Sequence, residues 1–123
     1  MEREQYEAII RDTIDALPDQ IREKLNDVAI VIERDAPPQK RGILLGLYEG
    51  VPLTAWGRDM AVKLPDKITL FTSSIEAVAQ SQEQIPHIVR ETLWHEIAHY
   101  FGFDHDHIHV MEKRWREKRQ QSN

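Results

Sequence analysis

Apolar positions recur at helical spacing near the start of this chain and form short continuous runs in its middle. The residues spaced three and four apart are Tyr6, Ile9, Ile10, Thr13, Ile14 and Leu17. This spacing predicts an amphipathic helix over residues 3–16 that stops near Pro18 and covers a sheet. A second short helix is expected from Pro18 or Asp19 to about Leu25, because proline is tolerated in a first turn.

Three later segments predict β-strands. Val28–Glu33 is apolar and rich in β-branched residues, which is typical of a largely buried strand. Ile43–Glu49 predicts a second strand, and Gly50 marks its end. Lys67–Phe71 follows a Pro-Asp turn and alternates between two faces, so it predicts a third strand.

The second half of the chain predicts helices. Ser73 or Ser74 is expected to cap a short helix that runs to about Gln80. Pro86 suits the first turn of a longer helix, and a final helix is expected over residues 106–120. Strands and helices in this arrangement indicate the α+β class.

The longer helix carries the pattern His-Glu-x-x-His-x-x-Gly-x-x-His, which is typical of zinc hydrolases. At 3.6 residues per turn, His95 and His99 lie on one face and can reach one metal ion. Glu96 flanks that position, where its carboxylate can accept a proton from an attacking water. Gly102 can end the helix in a left-handed conformation and direct His105 towards the same ion. Three nitrogen ligands would leave one coordination position open, as in catalytic zinc sites.

Composition limits the possible binding partners of the protein and its possible cellular compartment. A length of 123 residues suits a single domain over residues 1–123. The chain has no cysteine, so any metal must be held by His, Asp or Glu. The net charge of -5 argues against a nucleic-acid partner. No apolar run has the length of a signal-peptide core or a membrane span, so we expect a cytoplasmic protein without a membrane partner.

Three segments in the same order resemble a family of small bacterial zincin-like metallopeptidases, long catalogued as a domain of unknown function. They are the metal motif, Gly46–Thr54 and Leu64–Phe71, and the resemblance covers roughly residues 18–115. It implies a minimal zincin-like fold with a small mixed β-sheet, a covering N-terminal helix and an active-site helix. It also implies that His95 and His99 are zinc ligands and that Glu96 is the catalytic base.

The third ligand is where this chain departs from that family. Many members carry Asp at the position of His105, and the extended motif here is similar to that of the metzincins. We predict His105 as the third ligand, with Asp104 and Asp106 as neighbouring oxygen alternatives. One Zn²⁺ per chain is the expected cofactor.

A second family also has to be considered. The spacing His-x-x-x-His-x-x-Gly-Phe-Asp-His resembles the bacterial ribosomal-RNA maturation endonucleases, which bind a metal through three histidines. Those enzymes usually have Gly at the position of Glu96, so Glu96 and the acidic balance favour the peptidase. A zinc-binding domain without hydrolytic activity is the third alternative.

The favoured hypothesis is a zinc-dependent metallopeptidase that hydrolyses peptide bonds with a zinc-activated water and Glu96 as general base. Its expected substrate is a peptide or an unfolded protein, and its oligomeric state is left open. By the same resemblance, the strand near Lys67–Thr72 is expected to pair with the substrate. Tyr48 and Tyr100 are candidates to stabilise the developing oxyanion, although packing is the more common role for such residues.

Overall fold

The computed structural model describes residues 1–50 and 66–102, which form a small sheet with helices packed on it. Short 3₁₀ turns occupy Leu25–Asp27 and Gln82–Gln84. The other elements, in chain order, are α1 (Arg3–Asp15), α2 (Asp19–Lys24), β1 (Val28–Glu33), β2 (Gly46–Glu49), β3 (Asp66–Phe71), α3 (Thr72–Val78) and α4 (Ile85–Phe101).

Most elements lie where the hydrophobic pattern predicts them, but the start of β2 does not. The strand begins at Gly46, three residues later than the predicted start at Ile43. Leu45 still accepts a hydrogen bond from the Phe71 backbone N–H at 3.0 Å, so the preceding segment runs alongside β3 without completing the ladder. The predicted helix over residues 106–120 lies outside the described residues.

The serine cap predicted for α3 is wrong. The helix begins at Thr72, directly after β3, and its cap position is Phe71 with no side-chain cap bond. The Ser73 hydroxyl donates instead to Asp35 Oδ1 at 3.1 Å. The chain passes from strand to helix without a loop, so the extended cap position is occupied by Phe71, whose side chain has no oxygen to accept a capping bond.

The sheet has the strand order β1-β3-β2 and is mixed, as expected. Strand β1 is parallel to β3, whereas β2 is antiparallel to it. Thr69 of β3 is therefore flanked by Val31 on one side and by Leu47 on the other. The prediction that the strand near Lys67–Thr72 receives the substrate is wrong, because a strand paired on both sides has no free backbone groups.

One face of the sheet supports the helices. Helix α4 packs on β2 and β3, and α1 lies against α4. Ile10 and Ile14 of α1 face Ile30 and Ile32 of β1 across a groove, so the predicted covering role of α1 is confirmed. The core between these layers contains fully buried side chains such as Ile68, Leu70, Val89, Leu93 and Ile97. Burial of each such side chain contributes about 1.5–3 kcal/mol.

Both ends of α4 are formed by the residues that the sequence suggests. Pro86 lies in its first turn. Gly102 has φ 76° and ψ 23°, the left-handed conformation predicted for it. Its backbone N–H donates to the His99 carbonyl at 2.9 Å, which closes the last turn and fixes the position of His99. No helix among residues 1–50 and 66–102 combines the length and apolarity needed to cross a membrane.

Candidate metal centre

His95 and His99 lie one turn apart on α4 and direct the same ring nitrogen to a common point. Their Nε2 atoms are 3.1 Å apart. The two rings meet edge to face with centroids 4.7 Å apart, and both side chains are half-buried. Two nitrogens at about 2.0–2.1 Å from one tetrahedral zinc ion are about 3.3–3.4 Å apart. The observed separation therefore fits two ligands of one metal ion.

Glu96 completes a cluster with the two histidines. One ligand atom from each of the three residues lies within 4.8 Å of the other two. The Glu96 side chain is buried, and burial raises the pKa of its carboxyl group. The charges of His99 and His95 and a hydrogen bond from the Tyr48 backbone partly oppose this rise. A carboxylate with a raised pKa is a stronger base, which suits a group that has to accept a proton.

Strand β2 holds the Glu96 carboxylate in place. The Tyr48 backbone N–H donates to Glu96 Oε1 at 3.0 Å. The other oxygen, Oε2, has no such bond among the hydrogen bonds of the described residues. The carboxylate is thus anchored through one oxygen.

The Tyr48 and Tyr100 hydroxyls are both engaged away from the cluster. Tyr48 donates to Asp66 Oδ1 at 2.9 Å, and burial together with the Asp66 carboxylate raises the pKa of Tyr48. Tyr100 is buried, and its hydroxyl lies 3.4 Å from the Lys24 carbonyl. The two rings pack edge to face, with centroids 5.8 Å apart. Packing is therefore their observed role in this conformation.

Asp66 is a residue that sequence reasoning missed. The local sequence predicts a turn that it forms with the preceding proline, but it is the first residue of β3 and only 1% exposed. A buried carboxylate requires hydrogen-bond partners, and the Tyr48 hydroxyl is one of them. The sequence did contain one signal, because the whole Leu64–Phe71 segment resembles a known family. A turn at Asp66 does not explain that resemblance.

Two glycines allow β2 to approach α4 and β3 closely. A Cβ atom on Gly46 would lie 2.8 Å from Thr92 Cγ2 of α4. A Cβ atom on Gly50 would lie 1.9 Å from Asp66 Oδ1, and the φ of 150° at Gly50 disfavours other residues as well. These close contacts bring the Tyr48 backbone within hydrogen-bonding distance of Glu96.

An open groove lies beside the cluster. It has a volume of about 430 Å³ and is bordered by residues 43–46 on one side and by Glu91, Thr92, His95 and Glu96 on the other. Ile43, at its rim, is 56% exposed. A ligand in this groove would contact both the metal-binding face of α4 and the segment that leads into β2.

The structure brings together three of the four predicted site residues. His95, Glu96 and His99 form the cluster. His105 and its alternatives Asp104 and Asp106 lie outside the described residues.

Comparison with known proteins connects this arrangement to a family. Residues 25–115 match the family model of zincin-like metallopeptidases. A solved structure of a conserved hypothetical protein from Thermus thermophilus is similar, with a TM-score of 0.57 and 23% sequence identity over 92% of this chain and 99% of that one. At that identity the likeness concerns the fold alone. No curated protein matches the chain significantly.

Proposed function

Because the chain belongs to the zincin-like metallopeptidase family, we propose that it is a zinc-dependent peptidase with His95, His99 and His105 as ligands and Glu96 as general base. The observation that carries this proposal is the convergence of two imidazole Nε2 atoms and one buried carboxylate beside an open groove. A structural metal site would be closed by protein ligands, whereas a catalytic site needs such access.

The donor set suits zinc. Imidazole nitrogen is among the preferred zinc ligands, and the Nε2 separation of 3.1 Å fits tetrahedral coordination. When bound, zinc lowers the pKa of a coordinated water to about 7 and polarises a carbonyl oxygen.

Glu96 is assigned the proton transfers. Its Oε1 is held by the Tyr48 N–H, so Oε2 accepts the proton of the attacking water and then delivers it to the departing amine. The raised pKa of the carboxyl group favours the first of these transfers, because a weaker acid is a stronger proton acceptor.

The substrate is assigned to the edge of β2 that no other strand of residues 1–50 and 66–102 pairs with. Successive residues of a strand direct their backbone N–H and C=O groups to opposite sides. Leu45 bonds to β3, so Leu44, Gly46 and Tyr48 direct theirs away from it. The Tyr48 N–H already donates to Glu96. Leu44 and Gly46 are therefore left to pair with an extended peptide, and both line the groove beside the cluster.

This edge defines the substrate class. Pairing through backbone groups selects an extended or unfolded polypeptide rather than a folded one, and gives little sequence preference by itself. The exposed Ile43 side chain at the rim adds a preference for an apolar residue. No nucleic-acid partner is proposed.

The proposal is tested by metal analysis and a peptide-library assay on protein purified without a nickel column. We expect about one zinc per chain and slow, zinc-dependent cleavage of extended peptides. Absence of bound metal after zinc reconstitution would rule out the zinc site. Metal-dependent cutting of ribosomal RNA without peptide hydrolysis would favour the endonuclease, and bound zinc without any hydrolysis would favour a binding domain.

A further inference from the structure

A second groove lies between α1 and β1, on the edge of the described sheet opposite to β2. It has a volume of about 310 Å³. Its apolar lining comes from Ile10, Ile14, Ile30 and Ile32, and its charged rim from Arg3, Glu7, Arg11 and Asp15.

The four charged residues, here called the α1 charge row, alternate in sign along one side of α1. They are spaced four residues apart and are all exposed. Arg3 and Glu7 form an ion pair within the helix, with Arg3 Nε 3.3 Å from Glu7 Oε1.

The α1 charge row is complementary to a reversed copy of itself. If a second α1 runs antiparallel alongside, Arg3 meets Asp15 of the other copy and Glu7 meets Arg11. Each of the four positions then faces the opposite charge. A parallel alignment would place like charges together at every position. A two-fold axis perpendicular to the helix imposes the antiparallel arrangement on the two copies.

The outer edge of strand β1 favours the same two-fold arrangement. In the described part of the chain β1 pairs with β3 alone, so its outer edge is available. Its sequence, Val-Ala-Ile-Val-Ile-Glu, has no lysine or proline of the kind that protects edge strands from pairing. A two-fold axis perpendicular to the sheet beside β1 makes both β1 and α1 antiparallel to their copies. The same two-fold axis therefore pairs both the β1 edges and the α1 charge rows of the two copies.

We propose that a second copy of this chain binds at the α1 and β1 edge and forms a two-fold dimer. The two β1 strands pair antiparallel, which joins two three-stranded sheets into one. Ile14 and Ile30, which are half-buried in the single chain, become covered, and the α1 charge rows pair across the axis. Among the described residues, the two β2 edges and the candidate metal centres lie at the far ends of the joined sheet, away from the second copy.

The test measures the dimer dissociation constant by sedimentation equilibrium for the full chain and four variants. Glu7→Arg and Arg11→Glu each place like charges opposite one another twice across the axis. Each is expected to raise Kd by at least about tenfold, since like-charge juxtaposition at an interface is unfavourable. The double variant exchanges the two charges and restores opposite pairs, so its Kd should return to within about threefold of the wild type.

Asp12→Arg provides the matched control. Asp12 is exposed on α1, is not a member of the charge row and does not line the groove. It should leave Kd unchanged. Glu7→Arg and Arg11→Glu change the net charge in opposite directions, so an effect of overall charge would move them apart, whereas the proposed pairing weakens both.

Folding is checked independently by thermal unfolding, where these exposed substitutions should cost only a few tenths of a kcal/mol. Hydrogen exchange supplies a second measurement, in which the amides of Val28–Glu33 should exchange more slowly as protein concentration rises through Kd. A wild type that is monomeric up to about 200 μM would overturn the proposal. So would single variants that dimerise normally, or a double variant that is not restored.

Discussion

Tyr48 and Glu96 lie 48 residues apart in the chain and are joined by a 3.0 Å hydrogen bond from the Tyr48 backbone N–H to Glu96 Oε1. This bond connects the edge strand to the active-site helix at the proposed catalytic base. This bond also limits the part of the β2 edge that can pair with a substrate, because the Tyr48 N–H already donates to Glu96. The same contact therefore positions the proposed base and limits the proposed substrate edge.

Glu96→Gln tests the role assigned to this carboxylate. Gln keeps an oxygen that can accept from the Tyr48 N–H, but it cannot take a proton from water at neutral pH. General-base catalysis is worth about 10²–10⁴ in rate, so peptide cleavage should fall at least a hundredfold, mainly in kcat. Zinc content and unfolding temperature should stay near wild type. Undiminished cleavage by the zinc-loaded variant would refute the mechanism.

Gly50→Ala tests the close contact that positions β2. The new Cβ would lie 1.9 Å from Asp66 Oδ1, in addition to the unfavourable φ of 150°. We expect a loss of about 2–4 kcal/mol in the free energy of unfolding, measured with urea. Gly42→Ala is the matched control, because Gly42 also has a positive φ, of 69°, but nothing lies within 4 Å of the added atom. That variant should lose only about 1–2 kcal/mol, and equal losses would mean that the Asp66 contact is unimportant.

Substitutions at His105 test the third ligand. A carboxylate oxygen also binds zinc, at about 2.0–2.2 Å, so His105→Asp should retain the metal while His105→Ala weakens binding markedly. Zinc affinity is measured by competition with a chelator. His87→Ala is the control, since His87 is exposed on α4 and pairs with Glu91 rather than joining the cluster of His95, Glu96 and His99. If His105→Ala binds zinc like the wild type, a neighbouring residue such as Asp104 or Asp106 supplies the ligand.

Local sequence features were sufficient to predict the helix that carries the site. The place of Pro86 in its first turn, its end at Gly102 and the shared face of His95 and His99 follow from local sequence alone, and the structure agrees with each. These features depend on residues within one or two turns of each other. The candidate zinc ligands His95 and His99 could be predicted for the same reason.

The partners of Glu96 could not be predicted, because they depend on strand order. Nothing in the local pattern of Lys67–Phe71 indicates that β3 is central, and the substrate was therefore assigned to the wrong strand. Similarly, the dipeptide Pro65-Asp66 favours a turn, and only the arrival of Tyr48 from the neighbouring strand explains a buried carboxylate there. Contacts between segments distant in sequence decide both cases.

Tyr6→Phe tests how a buried hydroxyl affects stability in alkali. Burial, then the hydrogen bond to Glu76 and its charge, raise the pKa of Tyr6 above its ordinary value near 10. The folded state therefore keeps the proton after the unfolded state has lost it, so this contribution is fully present below pH 10 and declines above it. Each such tyrosine contributes up to about 1.4 kcal/mol per pH unit to that decline.

Urea unfolding between pH 8 and 11 should show a shallower alkaline decline for Tyr6→Phe than for the wild type. At pH 8 the variant should be less stable by about 1 kcal/mol, since it lacks the hydrogen bond. Glu76→Gln is the companion variant, because it keeps a hydrogen-bond acceptor but removes the charge, and its alkaline decline should lie between the other two. Identical slopes in all three proteins would show that Tyr6 does not stay protonated in the folded state.

The last prediction concerns the rim of the substrate groove at Ile43. This side chain is 56% exposed and lies next to Leu44, whose backbone groups are assigned to substrate pairing. Ile43→Asp should raise KM for peptides with an apolar residue near the scissile bond by about tenfold, because one apolar contact in a pocket is worth about 1–3 kcal/mol. The value of kcat should change little, since Ile43 is not one of the cluster residues.

Val78→Asp is the matched control. Val78 is the other large apolar residue described as exposed, at 39%, and it lies at the end of α3 rather than in the groove. It should leave KM and kcat unchanged. An increase in KM confined to Ile43→Asp would support substrate binding along the β2 edge. Equal effects of the two substitutions would mean that Ile43 acts through general surface properties and that the peptide binds elsewhere.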